Sequence, residues 1–317
     1  ALKKVLIREL EKSKSVLVPE EDSQDSNVTG EDSQAGEKPD EYYEPDERYS
    51  FQEEAVEWFI SPDGANGRGL YWMATGTGKT ITALKTINKL FDEGLIDSVV
   101  LNTKERLLHQ WFGEMKKPLP DGSAAAPWLS VPIWQISSKK DMRTFITGNK
   151  SGMCLFITYA FLPEFTNISR LKGFDLSRTL LIVDEVHNIG SDQNIMKMGS
   201  GVGADDEADA SLVPAADLDD TSQYSNFGFR LGLSATPFND FDDDRNSFIL
   251  MAFRDCESEF ERIDGWADAT LEEKRLMRIA HCKENNHAYH LDLGSAIRRE
   301  VLVPFDYHAV EYEPSEE

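Results

Sequence analysis

The chain has 317 residues, of which 40% are hydrophobic, and its formal net charge is −24. This length can hold one large domain or two smaller ones. The acidic balance argues against a protein that coats nucleic acid through bulk positive charge, but it leaves a local binding groove open. No apolar run reaches the roughly 20 residues of a membrane span, and no N-terminal stretch resembles a signal peptide, so we expect a cytoplasmic protein without a membrane partner.

Residues 1–47 are predicted to be an N-terminal segment followed by an acidic linker. Between Glu20 and Glu47 the sequence has twelve acidic residues and one basic residue, Lys38. A composition of this kind buries too little apolar surface to fold by itself and is typical of a solvated linker. Because the chain begins with Ala1, we expect it to be cut from a longer protein.

An amphipathic helix is predicted to begin at Arg48 and to continue to Phe59. Phe51, Ala55 and Phe59 share one side of it. Gln52 stands near its start, ahead of a glycine-rich loop. A glutamine at this place can hydrogen-bond an adenine edge, whereas a lone glutamine is most often just a surface residue.

A strand, a glycine turn and a helix follow one another from Gly69 to Phe91. The turn at Met73–Thr80 has the sequence MATGTGKT. Its glycines let successive backbone N–H groups point inward at a phosphate, and the N-terminus of the next helix adds partial positive charge. Lys79 would reach the β- and γ-phosphates of a nucleotide, and the Thr80 hydroxyl would ligate Mg²⁺. The alternative is a glycine-rich turn that merely caps a helix.

Strands and helices alternate after this loop. Apolar runs predict strands at Ser98–Asn102, Val131–Ile136 and Met153–Thr158, and helical patterns lie at 103–112 and 139–146. Thr103 is placed to cap the first of these helices. Strands of nearly continuous apolar character, separated by helices, predict an α/β fold with a mainly parallel sheet and helices on both faces.

Two carboxylates end a further apolar strand at Thr179–His187. Asp184 and Glu185 would therefore lie at the carboxyl edge of the sheet, where α/β folds bind their ligands. Asp184 would hold Mg²⁺, and Glu185 could position and deprotonate an attacking water. The alternative, a strand that simply ends in polar residues, loses weight because a phosphate loop precedes it.

An acidic insertion is predicted at about 198–228, a stretch without Lys, Arg or His. It is interpreted as a solvated loop, with an autoinhibitory segment that mimics a phosphate backbone as the alternative. The core resumes with a strand at Phe229–Pro237, which carries Ser234 and Thr236. These two hydroxyl groups could relay a structural change between a bound nucleotide and a second ligand.

The C-terminal part is predicted to hold a helix at Leu271–Ala280, then a short helix and an extended strand within Leu293–Tyr307. Three cysteines are too few for a disulfide framework, so we expect reduced thiols. One cluster lacks the spacing of paired metal ligands and is interpreted as polar surface. It comprises His281, Cys282, His287 and His290.

The order of three motifs resembles that of a known family. They are MATGTGKT at Met73–Thr80, DEVH at Asp184–His187 and SAT at Ser234–Thr236. Together they resemble motifs I, II and III in the first RecA-like domain of superfamily 2 DEAD/DEAH-type helicases and translocases. The likeness is greatest to the branch of restriction-enzyme motors and excision-repair helicases, and it covers Arg48 to Tyr307. It implies a RecA-like P-loop NTPase domain at 48–305, and a connection to a second RecA-like domain that starts at 306–317.

The resemblance also implies roles for individual residues. The nucleotide would be held by Gln52, Thr75, Gly76, Thr77, Gly78, Lys79 and Thr80. Hydrolysis would depend on Lys79, Asp184 and Glu185, with Mg²⁺ held by Thr80 and Asp184. Coupling of hydrolysis to movement would use His187, Ser234 and Thr236. The nucleic-acid backbone would be contacted by Thr103 and Thr158.

The implied activity is that of an ATP-dependent helicase or translocase that uses ATP and Mg²⁺. The family branch favours DNA over RNA and a place in restriction, phage defence or repair, with a possible nuclease or methyltransferase partner. The second RecA-like domain supplies arginines to the transition state, so we expect this chain alone to bind ATP but to hydrolyse it slowly or not at all. One alternative is a nucleotide-sensing or partner-binding module without motor activity. A phosphate-loop kinase fits poorly, because DEVH and SAT arrive in helicase order.

Overall fold

The computed structural model describes residues 46–118, 124–127, 134–135, 145–147, 152–189 and 222–304. The predictions for residues 1–45, for most of the acidic insertion and for 306–317 lie outside these ranges. No helix in the described ranges combines the length and apolar character needed to cross a bilayer.

A seven-stranded sheet forms the centre of the described chain. Its strands are β1 (Arg68–Met73), β2 (Ser98–Asn102), β3 (Trp134–Gln135), β4 (Met153–Ile157), β5 (Thr179–Asp184), β6 (Phe229–Ser234) and β7 (Ala288–Leu291). Their order across the sheet is β3-β4-β2-β5-β6-β1-β7, and every neighbouring pair is parallel. The mainly parallel sheet that the sequence predicts is therefore confirmed.

Helices follow most of the strands. Those with fully described bounds are α1 (Ser50–Ile60), α2 (Lys79–Asp92), α3 (Glu105–Lys116), α4 (Leu162–Lys172), α5 (Ser222–Ser225), α6 (Asp243–Arg254), α7 (Leu271–Glu284) and α8 (Leu293–Arg298). Short 3₁₀ turns lie at Glu47–Tyr49, Tyr159–Phe161, Leu176–Arg178, Val186–Asn188 and Phe260–Arg262.

Two apolar layers cover the two faces of the sheet. Along β1, Leu70 and Trp72 enter one layer, whereas Tyr71 and Met73 enter the other, because successive side chains of a strand point to opposite faces. Helices α1, α2 and α3 pack on the face of Tyr71, and α4, α6 and α7 pack on the opposite face. Helices thus bury both sides of a sheet whose central strands are almost wholly buried.

The C-terminal part differs from its prediction in two places. Strand β7 lies within the cluster that was interpreted as polar surface, and Cys282 beside it is fully buried. His290 of β7 packs edge-on against Trp72, with the ring centroids 4.8 Å apart. The surface interpretation is therefore wrong for Cys282 and His290. The extended strand expected after α8 is also wrong for the described residues 301–304, where Val303 is 81% exposed and Pro304 has no N–H for a ladder.

Two helix starts also differ from the expectations. Helix α6 was not predicted from the sequence, because its first residues belong to the acidic run at Asp240–Asp244. That run starts the helix: the Asp242 carboxylate accepts a hydrogen bond from the backbone N–H of Arg245 at 3.0 Å. Thr103 does not cap α3, since Lys104 holds the N-cap position and no side chain caps this helix end.

Candidate active site

The sheet order brings the three motifs to one edge. Strands β5, β6 and β1 are direct neighbours, and parallel strands end at the same side of a sheet. Asp184 and Ser234 are the last residues of β5 and β6, and Lys79 begins the helix that follows β1. Residues more than 150 positions apart in the sequence therefore share one side of the domain.

The glycine-rich loop at Met73–Thr80, here called the phosphate loop, folds around its own lysine. Gly76 and Gly78 have φ values of 85° and 84°, a left-handed conformation that favours glycine. The Lys79 ammonium group donates to the carbonyl oxygens of Met73 at 3.1 Å and Ala74 at 3.3 Å. The Thr77 hydroxyl also donates to the Ala74 carbonyl, at 2.7 Å. The loop thus closes on the ammonium group.

Lys79 and both carboxylates interact electrostatically. Burial lowers the pKa of Lys79, and attraction to Glu185 and Asp184 opposes this effect. The predicted lysine therefore lies within electrostatic range of both predicted carboxylates. Thr80 lies in the first turn of α2, where its side chain is partly buried.

Gln52 lies against the phosphate loop. It occupies the first turn of α1 and is only 3% exposed. A Cβ atom placed on Gly78 would come within 2.9 Å of its amide nitrogen Nε2, so the absence of a side chain at Gly78 leaves room for this amide. Leu302 closes another side of the loop: a Cβ on Gly76 would lie 3.1 Å from its Cδ2.

Asp184 is the last residue of β5 and is held at two points. The indole Nε1–H of Trp111 donates to its Oδ2 at 2.7 Å, and the Tyr159 hydroxyl donates to its backbone carbonyl. Burial raises the pKa of the Asp184 carboxyl. The Trp111 hydrogen bond and the charge of Lys79 lower this pKa, and the Glu185 charge raises it further.

His187 connects Glu185 with motif III. Its Nδ1 lies 3.2 Å from Glu185 Oε2 and 3.0 Å from the Ser234 hydroxyl. Its Nε2 lies 3.2 Å from the Asn188 amide nitrogen, which can only donate. The ring proton is therefore assigned to Nδ1. Burial lowers the pKa of His187, which favours this neutral form.

Motif III borders a cavity of about 290 Å³. Ser234 is buried, and its hydroxyl accepts a hydrogen bond from the backbone N–H of Thr236 at 3.0 Å. Thr236 is exposed and lines the cavity together with His187 and Arg245. The three residues predicted for coupling are thus neighbours.

Thr103 and Thr158 lie farther along the same edge, after β2 and β4. Thr158 is partly buried. Thr103 is fully buried, and its hydroxyl has no hydrogen-bond partner among the described residues. This conformation does not present Thr103 to a nucleic acid, so its predicted backbone contact stays a prediction.

The oxygen ligands at this site fit the implied metal. A threonine hydroxyl and a carboxylate are hard ligands, which suit Mg²⁺ when substrate phosphates and water complete the octahedron. Within the described ranges no group of three or more His, Cys, Asp or Glu forms a metal cluster.

Sequence reasoning missed three residues around the carboxylates: Trp111, Lys104 and Asn188. The Lys104 ammonium group donates to Asn188 Oδ1 at 2.6 Å, and Asn188 Nδ2 donates to the Glu185 carbonyl at 2.8 Å. The apolar spacing of Leu108, Trp111 and Met115 marks a buried helix face, but it does not indicate where the indole N–H points.

Residues 47–239 match the family model of the type III restriction enzyme, res subunit. This chain belongs to that family. The match contains all three motifs and confirms the resemblance to the first RecA-like domain of superfamily 2 helicases. Res-subunit family members are helicase-type ATPases, a class of enzyme that uses nucleotide and metal.

Three further proteins are similar to parts of this res-subunit family chain at low sequence identity. The mouse DNA excision repair protein ERCC-6-like is 25% identical over 147 residues, which are 45% of this chain and 11% of that protein. The Sulfolobus solfataricus SWI2/SNF2 ATPase core in complex with dsDNA is 14% identical with a TM-score of 0.45, over 76% of this chain and 43% of that one. The third protein is a nuclease-deletion mutant of the type ISP restriction-modification enzyme LlaGI in complex with a DNA substrate mimic. It is 16% identical with a TM-score of 0.42, over 79% of this chain and 20% of that one. The chain spans less than half of each of these three proteins.

Proposed function

We propose that this chain is the ATP-binding motor domain of an ATP-dependent DNA helicase or translocase. The observation that carries the proposal is the convergence of Lys79, Asp184 and Glu185, from two separate motifs, at one edge of a parallel sheet. A glycine-rich loop that merely caps α2 would not need two carboxylates within electrostatic range of its lysine.

Nucleotide binding would begin with an exchange of partners at Lys79. Its ammonium group now bonds the Met73 and Ala74 carbonyls, and phosphate oxygens would replace them as stronger, charged acceptors. The backbone N–H groups of the loop from Thr75 to Thr80 would line the phosphates. Gln52, which packs beside Gly78, would contact the adenine.

Mg²⁺ would be held by Thr80 and Asp184, and when bound it would neutralise charge on the phosphates and the leaving group. Glu185 would orient and deprotonate the attacking water. The His187 ring lies 3.2 Å from the Glu185 carboxylate and 3.0 Å from the Ser234 hydroxyl. A movement of motif III would therefore displace the imidazole ring, and the ring would in turn displace the catalytic carboxylate.

Movement along DNA would need a second RecA-like domain, which would add arginines to the transition state. Contacts to the DNA backbone carry no sequence information and therefore suit a motor. Thr158 and, after a rearrangement, Thr103 are the candidate contacts in this chain. The proposal also includes a nuclease or methyltransferase domain or subunit as a partner of this chain.

Substitution of Lys79 tests nucleotide binding. We expect Lys79→Ala to weaken binding of a fluorescent ATP analogue by about 10-fold or more, because a charge-assisted contact to phosphate is lost. Lys89→Ala is the matched control, since Lys89 lies on the same helix but pairs with Glu57 and Glu93 at the surface. Equal affinity of the Lys79→Ala and Lys89→Ala variants would contradict the proposed function.

A further inference from the structure

Helix α3 and its N-cap residue Lys104 hold the end of β5 and the turn after it at two points. At one point, Trp111 Nε1 donates to the Asp184 side chain at 2.7 Å. At the other, Lys104 Nζ donates to Asn188, whose Nδ2 donates in turn to the Glu185 carbonyl. The helix and its N-cap residue therefore restrain the carboxylate of one site residue and the backbone of the next.

The Trp111 contact is more than apolar packing. Trp111 is among the largest fully buried side chains, with 1% of its surface exposed. An indole has one donor, and a buried donor without a partner is destabilising. Here that donor goes to a carboxylate, a charge-assisted bond that a Leu or Phe at the same core position could not make.

We propose that Trp111 is a positioning residue for the metal carboxylate. By bonding Oδ2, it keeps the Asp184 side chain in one orientation and lowers the reorganisation needed when Mg²⁺ and nucleotide bind. Trp111 touches neither ligand in this role, and the Lys104–Asn188 contact steadies the neighbouring backbone. The inference rests on the proposed function, because it assumes that Asp184 faces the metal.

Replacement of Trp111 by an aromatic residue without an N–H donor tests the inference. We expect Trp111→Phe to weaken the apparent Mg²⁺ affinity for nucleotide binding by about 10-fold, the usual effect of losing a hydrogen bond to a metal ligand. Nucleotide affinity in EDTA should stay within about two-fold of wild type. Trp58→Phe is the matched control, since it removes another indole donor, one that contacts Asn286 at 3.3 Å.

The outcomes separate the inference from the proposed function. Equal Mg²⁺ affinities in the two tryptophan variants would overturn the positioning role, and so would an equal loss of nucleotide binding with and without Mg²⁺. If the wild-type chain showed no Mg²⁺-dependent nucleotide binding, the proposed function would fail and this inference with it.

A measurement on the wild-type chain covers the case in which Trp111→Phe does not fold. The indole N–H resonance of Trp111 can be assigned by replacing the other tryptophans with Phe one at a time. We expect this resonance to shift when nucleotide is added with Mg²⁺, and to stay in place when it is added with EDTA. A resonance unmoved by both additions would overturn the proposal.

Discussion

Glu185 adopts a backbone conformation that few residues with a side chain adopt. Its φ of 55° and ψ of 51° lie in the left-handed region, which costs roughly 1–2 kcal/mol for a residue other than glycine. The Glu185 carbonyl accepts hydrogen bonds from the Asn188 backbone N–H at 2.9 Å and from its side-chain Nδ2 at 2.8 Å, which hold the strained turn. The turn breaks the direction of β5 and places the carboxylate beside His187.

Glu185→Gln tests the assignment of the base. The amide keeps the size of the side chain but accepts no proton from water, so hydrolysis should fall by about 10²-fold or more. Nucleotide affinity should stay within about two-fold of wild type, because Glu185 bonds no phosphate in the proposed site. Phosphate release by the full-length protein with DNA measures hydrolysis. Glu57→Gln, at an exposed position on α1, is the control, and normal turnover in Glu185→Gln would refute the base assignment.

Strand β7 stabilises β1, the strand that leads into the phosphate loop. It pairs with Leu70 to Met73 and contributes His290, whose ring packs on Trp72. Burial lowers the pKa of His290 to about 4, and the neighbouring charge of Lys283 acts in the same direction. His287 beside it also has its pKa lowered to about 4, mainly by burial.

These depressed pKa values predict a loss of stability in acid. Unfolded histidine takes up a proton near pH 6.5, whereas folded His290 does so only near pH 4, so the free energy of unfolding falls as the pH falls through this window. His290→Phe keeps the ring contact and removes the titration. We expect it to reduce the stability lost between pH 7 and pH 5 by roughly 1 kcal/mol, allowing for solvent screening.

Urea unfolding at the two pH values measures this difference. His109→Gln serves as the control, because His109 is exposed on α3. An identical pH dependence in wild type and His290→Phe would show that His290 does not contribute in this way.

The strength of the local pattern decides which elements the sequence predicts. Strands β2 and β5 are continuous apolar runs, and their predicted positions agree with the structure. Strand β7 has four residues, with two half-buried ones between buried ends, because it lies at the sheet edge. Such a short, half-polar segment is hard to distinguish from a surface loop.

The same limit applies to the site. The motifs give Lys79, Asp184 and Glu185, because glycine spacing and a strand that ends in carboxylates are local features. The contact of Trp111 with Asp184 joins residues 73 positions apart, and that of Lys104 with Asn188 joins residues 84 apart. These contacts depend on β2 and β5 being neighbours, and strand order cannot be derived from local periodicity.

At the scale of the whole molecule, the acidic charge stays the main obstacle to a DNA-binding role. Residues 201–222 contain seven acidic residues and no basic one, so their removal would change the formal net charge from −24 to −17. DNA is a polyanion, so a chain without residues 201–222 would repel it less than the native chain does. This difference is largest at low salt.

Replacement of residues 201–222 by a short Gly-Ser linker tests the two interpretations of the acidic insertion. We expect the melting temperature to stay the same, because the composition of this stretch is typical of a solvated segment. DNA affinity then separates the interpretations. Tighter binding that persists at high salt would support autoinhibition, whereas an unchanged affinity would support a plain solvated loop. A variant with the native length and Asn or Gln in place of the acidic residues separates charge from length.

The position of β1 in the sheet has a consequence for synthesis. This strand leaves the ribosome well before both of its neighbours, β6 and β7, which follow it by more than 150 residues. Closing loops of this length is slow. The nascent polypeptide therefore cannot complete the pairing of β1 until Leu291 has left the exit tunnel, and a ribosome stalled before that codon would carry a β1 without its β7 partner.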